Sequence, residues 1–288
     1  MEYTLRTGFR EDAGLRCAFN DLATATFGLT FEPWYRGGYW TDKYEPHTLF
    51  DGSRAIANVS VNHMTLEDSE GRWRFLQLGT VMVAQGYRGK GLARYLMELV
   101  LDKYAGQQDG IYLLANGGVL HFYPKFGFRP VTEYQYSALL RHYGGGYRRL
   151  DLSTQEDQSL LQRSYERSNP YCALNSRENF ELYMFYCQDF LKDAMYYFPD
   201  QESLVIARQQ GDTLVCYDVL GGGESHLGSL LSAIAGPGTG RTVLGFAPAN
   251  PDAFAAAPID TDDHLFVLEG GRDPLGGAQR MLPLLSHA

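Results

Sequence analysis

The spacing of apolar residues along the first half of the chain predicts its helices and strands. Leu15, Phe19, Leu22 and Phe27 recur with the period of a helix, and residues 92–104 repeat that spacing. Between these helices lie runs that are typical of strands. The predicted strands are residues 3–9, 53–64, 72–83, 111–116 and 128–140, with 66–71 as the turn of a hairpin. This order of elements is typical of an α/β layered fold.

Beyond the glycine-rich stretch 142–149, the same order of elements begins again. Ser153 with Glu156, and then Asn175 with Glu178, have the spacing found at helix starts. The later predicted elements are strands at 193–199, 203–210, 213–220, 241–246 and 264–270 and a helix at 225–235. We therefore divide the chain into a domain at 1–144 and a second α/β domain at 145–288. We interpret the second as a copy of the first, the alternative being a chance recurrence of strands and helices.

Composition limits the partners of this chain of 288 residues. A hydrophobic content of 44% can supply a core, and a net charge of −9 disfavours binding to nucleic acid or to an anionic membrane. No apolar run approaches the ~20 residues of a membrane span, and the first residues do not resemble a signal peptide. The cysteines and the lone His226 and His264 lack metal-ligand spacing. We expect a cytoplasmic protein without a metal, and its oligomeric state stays open.

A glycine-rich turn at 84–91 joins the strand that ends at 83 to the helix that begins at 92. It places Arg88, Lys90 and Arg94 around the start of that helix. Cations there oppose the helix dipole at a cost of about 0.3–1 kcal/mol each, which favours a bound anion as the reason for their position. The spacing of Gly86, Gly89 and Gly91 fits neither a nucleotide-triphosphate loop nor a dinucleotide fingerprint.

The second half has lost the charges of this turn. Gly223 and Ser225 stand where the first half has Arg88 and Lys90, although the glycines persist. An eroded second copy explains the difference.

Two segments of the first half resemble the GNAT superfamily of acetyl-CoA-dependent N-acetyltransferases. Arg88, Gly91 and Ala93 fit its [RQ]-x-x-G-x-[GA] signature, which lies where a strand leads into a helix. The downstream stretch 115–128 resembles a second segment of the family at Asn116, Tyr123, Gly127 and Phe128. The resemblance covers about residues 1–140, whereas the second half is similar only in element order, as in tandem forms with a degenerate copy.

The resemblance implies a fold, a donor and a set of binding residues. The fold is a mixed, mostly antiparallel sheet flanked by helices, splayed into a slot that holds the pantetheine arm of acetyl-CoA. Main-chain groups of Met82 and Val83 would contact that arm, and an N–H near Val83 would stabilise the oxyanion. The pyrophosphate would be held by the amides of Arg88, Gly89, Lys90, Gly91, Leu92 and Ala93.

Two further residues receive roles from the resemblance. Tyr123 would protonate the departing thiolate as a general acid, and Asn116 would hydrogen-bond the cofactor arm. The alternative for Tyr123 is a core tyrosine whose hydroxyl finds a backbone partner. The alternative for Asn116 is a turn residue at the end of a strand.

The acceptor and its general base cannot be identified from the sequence. Acidic and histidine side chains near the expected acceptor side are Asp42, Glu45, His47, His63 and Glu67, and the aromatic loop 31–44 carries Trp34, Tyr35, Tyr39 and Trp40. Aromatic faces beside acids suit a small cationic amine, and they also suit plain packing. We predict acetyl transfer to a primary amine by direct attack; the alternatives are a non-catalytic acyl-CoA-binding protein and a longer acyl donor. The second domain would serve structure or the acceptor site.

Overall fold

Two twisted sheets organise the computed structural model of the protein, which describes residues 3–223 and 225–288. The strands are β1 (Thr4–Arg6), β2 (Tyr44–Asp51), β3 (Arg54–Asp68), β4 (Gly71–Val83), β5 (Gly110–Asn116), β6 (Phe128–Val131), β7 (Tyr134–Leu139), β8 (Arg148–Arg149), β9 (Asn175–Arg177), β10 (Met195–Phe198), β11 (Ser203–Gln210), β12 (Thr213–Gly221), β13 (Arg241–Leu244), β14 (Ala255–Pro258) and β15 (Asp263–Leu268). The helices are α1 (Ala13–Phe27), α2 (Glu32–Arg36), α3 (Leu92–Tyr104), α4 (Gln155–Arg167), α5 (Phe180–Phe185) and α6 (Leu227–Ile234).

The two sheets repeat one strand order. The first runs β1-β2-β3-β4-β5-β15-β6, with β9 added beside β3, and the second runs β8-β10-β11-β12-β13-β7-β14. Each contains one parallel pair among the named strands of the described residues, β4 with β5 and β12 with β13, and a helix connects the strands of each pair. The predicted α/β fold of mostly antiparallel sheets flanked by helices is therefore confirmed, and the second half follows the topology of the first.

Each sheet contains a strand from the other half of the chain. β15 lies between β5 and β6, with Phe266 opposite both Leu113 and Pro130. In the same way β7 lies between β13 and β14 of the second sheet. The predicted single strand 128–140 is thus two strands in different sheets. A division at residue 144 separates the chain into two segments but does not separate the sheets.

Several local predictions were wrong. The aromatic loop 31–44 contains α2 and leads into β2, a strand that the sequence analysis did not predict. α4 begins after Thr154 instead of Ser153, because the Thr154 hydroxyl accepts from the Asp157 amide at 3.3 Å. The helix predicted from Asn175 begins after Asn179, whose side chain accepts from the Leu182 amide.

Helices from both halves cover the first sheet. α3 packs on one face, where Leu96, Met97 and Val100 contact strand residues such as Val59 and Val61. The opposite face is covered by α1, by α2 and by α5 from the second half. The indole N–H of Trp34 in α2 donates to the Glu181 carbonyl of α5 at 2.6 Å.

The chain crosses between the sheets at Glu133, a buried residue that anchors the C-terminal segment. Its carboxylate accepts the Leu282 amide at 2.8 Å, and its carbonyl accepts the Ile259 amide at 2.9 Å. Burial is the main reason that the pKa of Glu133 rises to about 7, and the nearby Asp263 charge acts in the same direction. Burial therefore disfavours the ionised form of the Glu133 carboxyl group in the folded protein.

Glu133 should make the protein less stable as the pH rises. Its folded pKa exceeds its unfolded pKa, so the folded state binds more protons between about pH 4.5 and 7, and stability falls across that window. The penalty at pH 8 is about 3 kcal/mol. Glu133→Gln should remove this pH dependence, as measured by urea unfolding at pH 4.5 and 8. Equal pH slopes for the two proteins would contradict the assignment.

The first half should not fold alone. A chain of residues 1–145 lacks β15, so β5 and β6 lose their shared neighbour and the aromatic cluster around Trp34 loses α5. We expect this fragment to aggregate or to show no cooperative thermal transition by circular dichroism, whereas the full chain shows one. As a matched test, a synthetic peptide of residues 260–270 should raise the soluble fraction of the fragment more than a scrambled peptide. A fragment that melts like the full chain would overturn the dependence on strand exchange.

Candidate active site

A slot opens where β4 and β5 separate. Their parallel pairing runs from Phe75 opposite Gly110 to Leu78 opposite Leu113 and goes no further, although β4 continues to Val83. An irregularity in the register with β3 begins just beyond this point, and Thr80 there has a φ of 50°. The two strand edges that face each other beyond Leu78 are therefore free of each other's hydrogen bonds.

Hydrogen bonds at the end of β4 show which main-chain groups face the slot. The Ala84 amide donates to the Ile56 carbonyl of β3 at 2.8 Å. Successive residues of a strand direct their main-chain groups to opposite edges, so Met82 faces β3 whereas Val81 and Val83 face the slot. The Val83 carbonyl accordingly accepts Arg88 Nε at 3.3 Å. Of the two residues with predicted main-chain contacts, Val83 faces the slot and Met82 faces β3, and Val81 is the neighbouring residue that faces the slot.

The N-terminal end of α3 presents a run of unpaired amides to the same slot. Within the described part of the chain, no acceptor lies within hydrogen-bond distance of the N–H groups of residues 89–94, and the first bond of the helix is from Tyr95 to Gly91 at 3.0 Å. Gly89 and Gly91 have φ angles of 75° and 78°, a conformation that favours glycine. Unpaired amides at the positive pole of a helix are the arrangement with which proteins bind phosphate groups.

The basic side chains of this turn are arranged unequally. Arg88 and Arg94 line the cavity described below, and Arg94 lies 3.9 Å from Glu98 on the exposed surface of α3. Lys90 does not line it, because its ammonium group lies over the ring of Tyr87 at 4.7 Å from the ring centroid. Arg88 and Arg94 are therefore the basic side chains of this turn that line the cavity.

Tyr123 enters the cavity from a 3₁₀ turn at Tyr123–Phe126. The ring is buried against Phe122, Phe128 and Phe266. No hydrogen-bond partner for its hydroxyl is present among the described residues, so the alternative of a core tyrosine with a backbone partner does not apply. Burial raises the pKa of Tyr123 to about 12, so the hydroxyl keeps its proton at neutral pH.

Asn116 fits the turn interpretation and still reaches the cavity. Its Oδ1 accepts the Gly118 amide at 3.2 Å, which caps the short turn after β5. The side chain lines the cavity beside the slot. Its amide nitrogen is the group left to bind a ligand.

One cavity of about 1160 Å³ joins these groups, a volume at the upper end of small-molecule sites. The predicted site residues that line it are Met82, Val83, Arg88, Gly89, Gly91, Leu92, Ala93, Asn116 and Tyr123. Sequence reasoning missed lining residues that come from other parts of the chain, notably Thr80, Phe185, Tyr186, Asp263 and His287. Their position depends on pairing and packing between segments far apart in the sequence, so no local pattern marks them.

The predicted acceptor-side acids and histidines lie elsewhere. Glu45 and His47 pair with Val61 and Val59, so their side chains face α3, where Glu45 Oε1 lies 2.6 Å from Lys103 Nζ. His63 faces the same helix, with its ring 5.8 Å from that of Tyr104.

The two remaining acids are held by arginines. Asp42 pairs with Arg10 at 2.7 Å, and Glu67 pairs with Arg72 at 2.8 Å. None of the five acid and histidine candidates lines the cavity, as far as the described residues extend. Of the four aromatic candidates from loop 31–44, Trp34 lines it and Tyr35, Tyr39 and Trp40 do not, while Phe31 and Tyr44 at the two ends of the loop also line it.

The corresponding slot of the second sheet is filled by the chain itself. β12 and β13 pair from Thr213 to Cys216, and β12 then continues past an irregularity near Tyr217. The Leu284 amide donates to the Gly245 carbonyl at 2.8 Å. A Cβ built on Gly245 would lie 2.9 Å from the Tyr217 carbonyl oxygen and 3.0 Å from Leu284 Cδ1, which shows how closely these segments approach. Leu284 therefore lies where the first sheet has its open slot.

Comparison with known proteins agrees with this geometry. Residues 16–131 match the family model described as the acetyltransferase (GNAT) domain. This part of the chain is therefore similar to a GNAT domain. The matched residues include the slot, the start of α3 and Tyr123, so the family match and the cavity describe the same part of the molecule. The match to this family supports an acyltransferase activity.

Solved structures share the fold over nearly the whole chain. A conserved protein from Enterococcus faecalis V583, described as a probable N-acyltransferase, aligns with a TM-score of 0.62 and 15% identity over 93% of this chain and 72% of its own. A GCN5-related N-acetyltransferase from Kribbella flavida gives 0.58 and 15% over 92% and 71%. Eis1 from Mycobacterium abscessus gives 0.53 and 17% over 92% and 73%. At these identities the likeness is one of fold.

The comparison with curated protein sequences gave no match. Across residues 3–223 and 225–288, no helix has the length and apolar character of a membrane span, and no three His, Cys, Asp or Glu side chains cluster as metal ligands would.

Proposed function

We propose that the GNAT domain transfers an acetyl group from acetyl-CoA to a primary amine by direct attack. The observation that carries this proposal is the cavity itself. It brings the unpaired amides of residues 89–94, the free edge of β4 and the unpaired hydroxyl of Tyr123 to one place. A phosphate-bearing thioester that extends through the slot would use all three.

The donor would lie with its pyrophosphate at α3 and its arm in the slot. The amides of residues 89–94 would bind the pyrophosphate, with Arg88 and Arg94 neutralising its charge. The arm would complete the hydrogen bonds that β4 and β5 leave unmade, through the main-chain groups of Val81 and Val83. The amide of Asn116 would meet the arm from the β5 side.

The reaction requires one bond to form and one to break. The free amine attacks the thioester carbonyl carbon, the new C–N bond forms, and the C–S bond breaks with its electron pair on sulfur. A backbone N–H at Val83 would stabilise the oxygen that becomes negative, a role that contributes about 3–4 kcal/mol in other acyl transfers. The products are the N-acetyl amine, free CoA thiol and the proton that the ammonium form of the amine released.

Tyr123 would supply the proton that the departing thiolate takes. An ordinary thiol has a pKa of about 8.5, well below that of Tyr123, but the apolar surroundings raise the pKa of a thiolate there and narrow the gap. Transfer during C–S cleavage avoids a free thiolate, and the amine's proton can restore the tyrosine afterwards.

Calorimetry with acetyl-CoA tests the donor site first. Arg88→Ala should weaken binding about tenfold, which corresponds to about 1.4 kcal/mol. Lys90→Ala should weaken it by about threefold or less, because that side chain lies outside the cavity. Arg163→Ala, a change at an exposed residue of α4, serves as the matched control and should have no effect. An unmodified protein that does not bind acetyl-CoA would overturn the proposed function.

Tyr123→Phe separates catalysis from binding. We expect kcat to fall about 100-fold, because the acid is removed, while acetyl-CoA affinity stays within about twofold. The melting temperature should be unchanged, since the hydroxyl has no partner to lose. Tyr95→Phe, at an exposed position of α3 outside the cavity, is the matched control. Full kcat in Tyr123→Phe would exclude this acid, and binding without any acyl transfer would favour the non-catalytic acyl-CoA-binding alternative.

A further inference from the structure

The cavity extends from the slot onto the face of the first sheet that lies opposite α3. On β5 and β15, Tyr112, Leu265 and Val267 pack in a cluster with Leu182 and Leu282 from the second half. The residues between them on these strands, Leu113, Ala115 and Phe266, pack with α3 on the other face. Residues of β15 that are two positions away from Leu265 therefore face the second half.

Asp263 lies two residues before Leu265 on β15, so its side chain is on the same face of the sheet. It is directly opposite Asn116 in the β15–β5 register, so the two side chains emerge on the same side of the sheet. Both line the cavity. No cation or hydrogen-bond donor contacts the Asp263 carboxylate within residues 3–223 and 225–288. The side chain is exposed to the cavity mouth and is free to bind a ligand.

The charges around the cavity are divided between its two ends. The charged lining residues among those described are Arg88, Arg94, Lys125 and Asp263. The two arginines flank the start of α3, and Lys125 follows Tyr123 on its turn. Asp263 is the one acidic side chain in this set, and the main chain of Ala288 also lines the cavity. Burial raises the pKa of Tyr186, another lining residue, and the charge of Asp263 acts in the same direction.

One wall of the cavity, formed by residues from both halves of the chain, is aromatic and apolar. Its lining side chains are Phe27, Leu29, Phe31, Trp34, Leu182 and Phe185. Phe185 stacks on Phe31 at 5.5 Å between centroids and meets Trp34 edge-on at 5.9 Å. The polar atom of Trp34 is already bonded to Glu181, and the Tyr44 hydroxyl is bonded to Ser60 and Thr80 at 2.9 Å and 3.0 Å. The wall therefore offers apolar side-chain surface and few free polar groups.

We infer that Asp263, carried into the first sheet by the strand from the second half, binds the acceptor's ammonium group, and that the aromatic wall takes a monoamine with an apolar body of about ring size. This inference rests on the proposed function and names the acceptor class for the same site. A single carboxylate can pair with one ammonium group, and a second cation placed against the apolar wall would lose its hydration without compensation. An aromatic or aliphatic body instead gains from burial there.

Steady-state kinetics with four amines test the substrate class. The probes are 2-phenylethylamine, n-butylamine, spermidine and kanamycin, with acetyl-CoA saturating. The kcat/KM for 2-phenylethylamine should exceed that for each of the others at least tenfold. Phe185→Ala should reduce this preference more than Phe185→Leu does, because leucine keeps most of the apolar surface. A preference for spermidine or kanamycin would overturn the assignment of class.

Asp263→Asn tests the positioning role. The KM for 2-phenylethylamine should rise at least tenfold, while the calorimetric affinity for acetyl-CoA stays within twofold. Asp260→Asn removes an exposed acid three residues away that does not line the cavity, and it should leave both quantities unchanged. An unaltered amine KM in Asp263→Asn would overturn the inference. Weaker acetyl-CoA binding without a change in the amine KM would also overturn it, because Asp263 would then belong to the binding site of the donor arm.

The two proposals can fail separately. If the unmodified protein does not bind acetyl-CoA, the proposed function fails and the acceptor inference falls with it. If acetyl-CoA binds and a polycationic or alkyl amine is acetylated at least as well as 2-phenylethylamine, only the acceptor inference fails. If acetyl-CoA binds and none of the four amines is acetylated, the assigned acceptor class is wrong while the donor site stands.

Discussion

The reciprocal exchange of β7 and β15 is the constraint on which the rest of the structure depends. β15 supplies hydrogen bonds to both β5 and β6, and β7 does the same for β13 and β14. Buried backbone groups must be paired, so neither sheet is complete without the other half of the chain. The exchange also carries Asp263 to the edge of the slot. The cavity is therefore complete only when β15 has joined the first sheet.

The two slots show how the same backbone opening leads to different outcomes. A splayed strand pair leaves main-chain groups without neighbours, and those groups need a ligand, water or another segment. In the second sheet, Leu284 and its neighbours occupy that place beside Gly245. In the first sheet the opening stays free and ends at the unpaired amides of residues 89–94. The loss of basic residues from the second copy fits a slot that holds protein in place of an anion.

The segment after β15 connects these features. Glu133 holds it at Leu282, Leu284 closes the second slot, and the Tyr186 hydroxyl donates to the His287 carbonyl at 2.5 Å inside the first cavity. Gly79 allows the approach of the last residue, since a Cβ there would lie 2.4 Å from the Ala288 oxygen. One stretch of the second half thus packs into its own sheet and lines the cavity of the first.

Structural features formed by residues that are neighbours in the chain could be predicted from the sequence. The hairpin of β3 and β4, the helix after residue 91 and the turn around Gly89 and Gly91 follow from local period, from glycine conformation and from charges at a helix start. Arg88, Asn116 and Tyr123 were expected at the site because two short segments resemble the GNAT superfamily, and all three line the cavity. The repeated order of elements was likewise visible as a pattern.

Only the tertiary structure decided which strand joins which sheet and which side chains share a cavity. Residues 128–140 and 264–270 read as ordinary strands, and nothing in their period distinguishes one sheet from another. Glu45 and His47 were expected near the acceptor, yet strand register turned them toward α3. Asp263 and Phe185 reach the cavity through pairing and packing over more than 100 residues of chain. Those choices depend on contacts between distant segments, so they are settled by the folded chain as a whole and not by any local pattern.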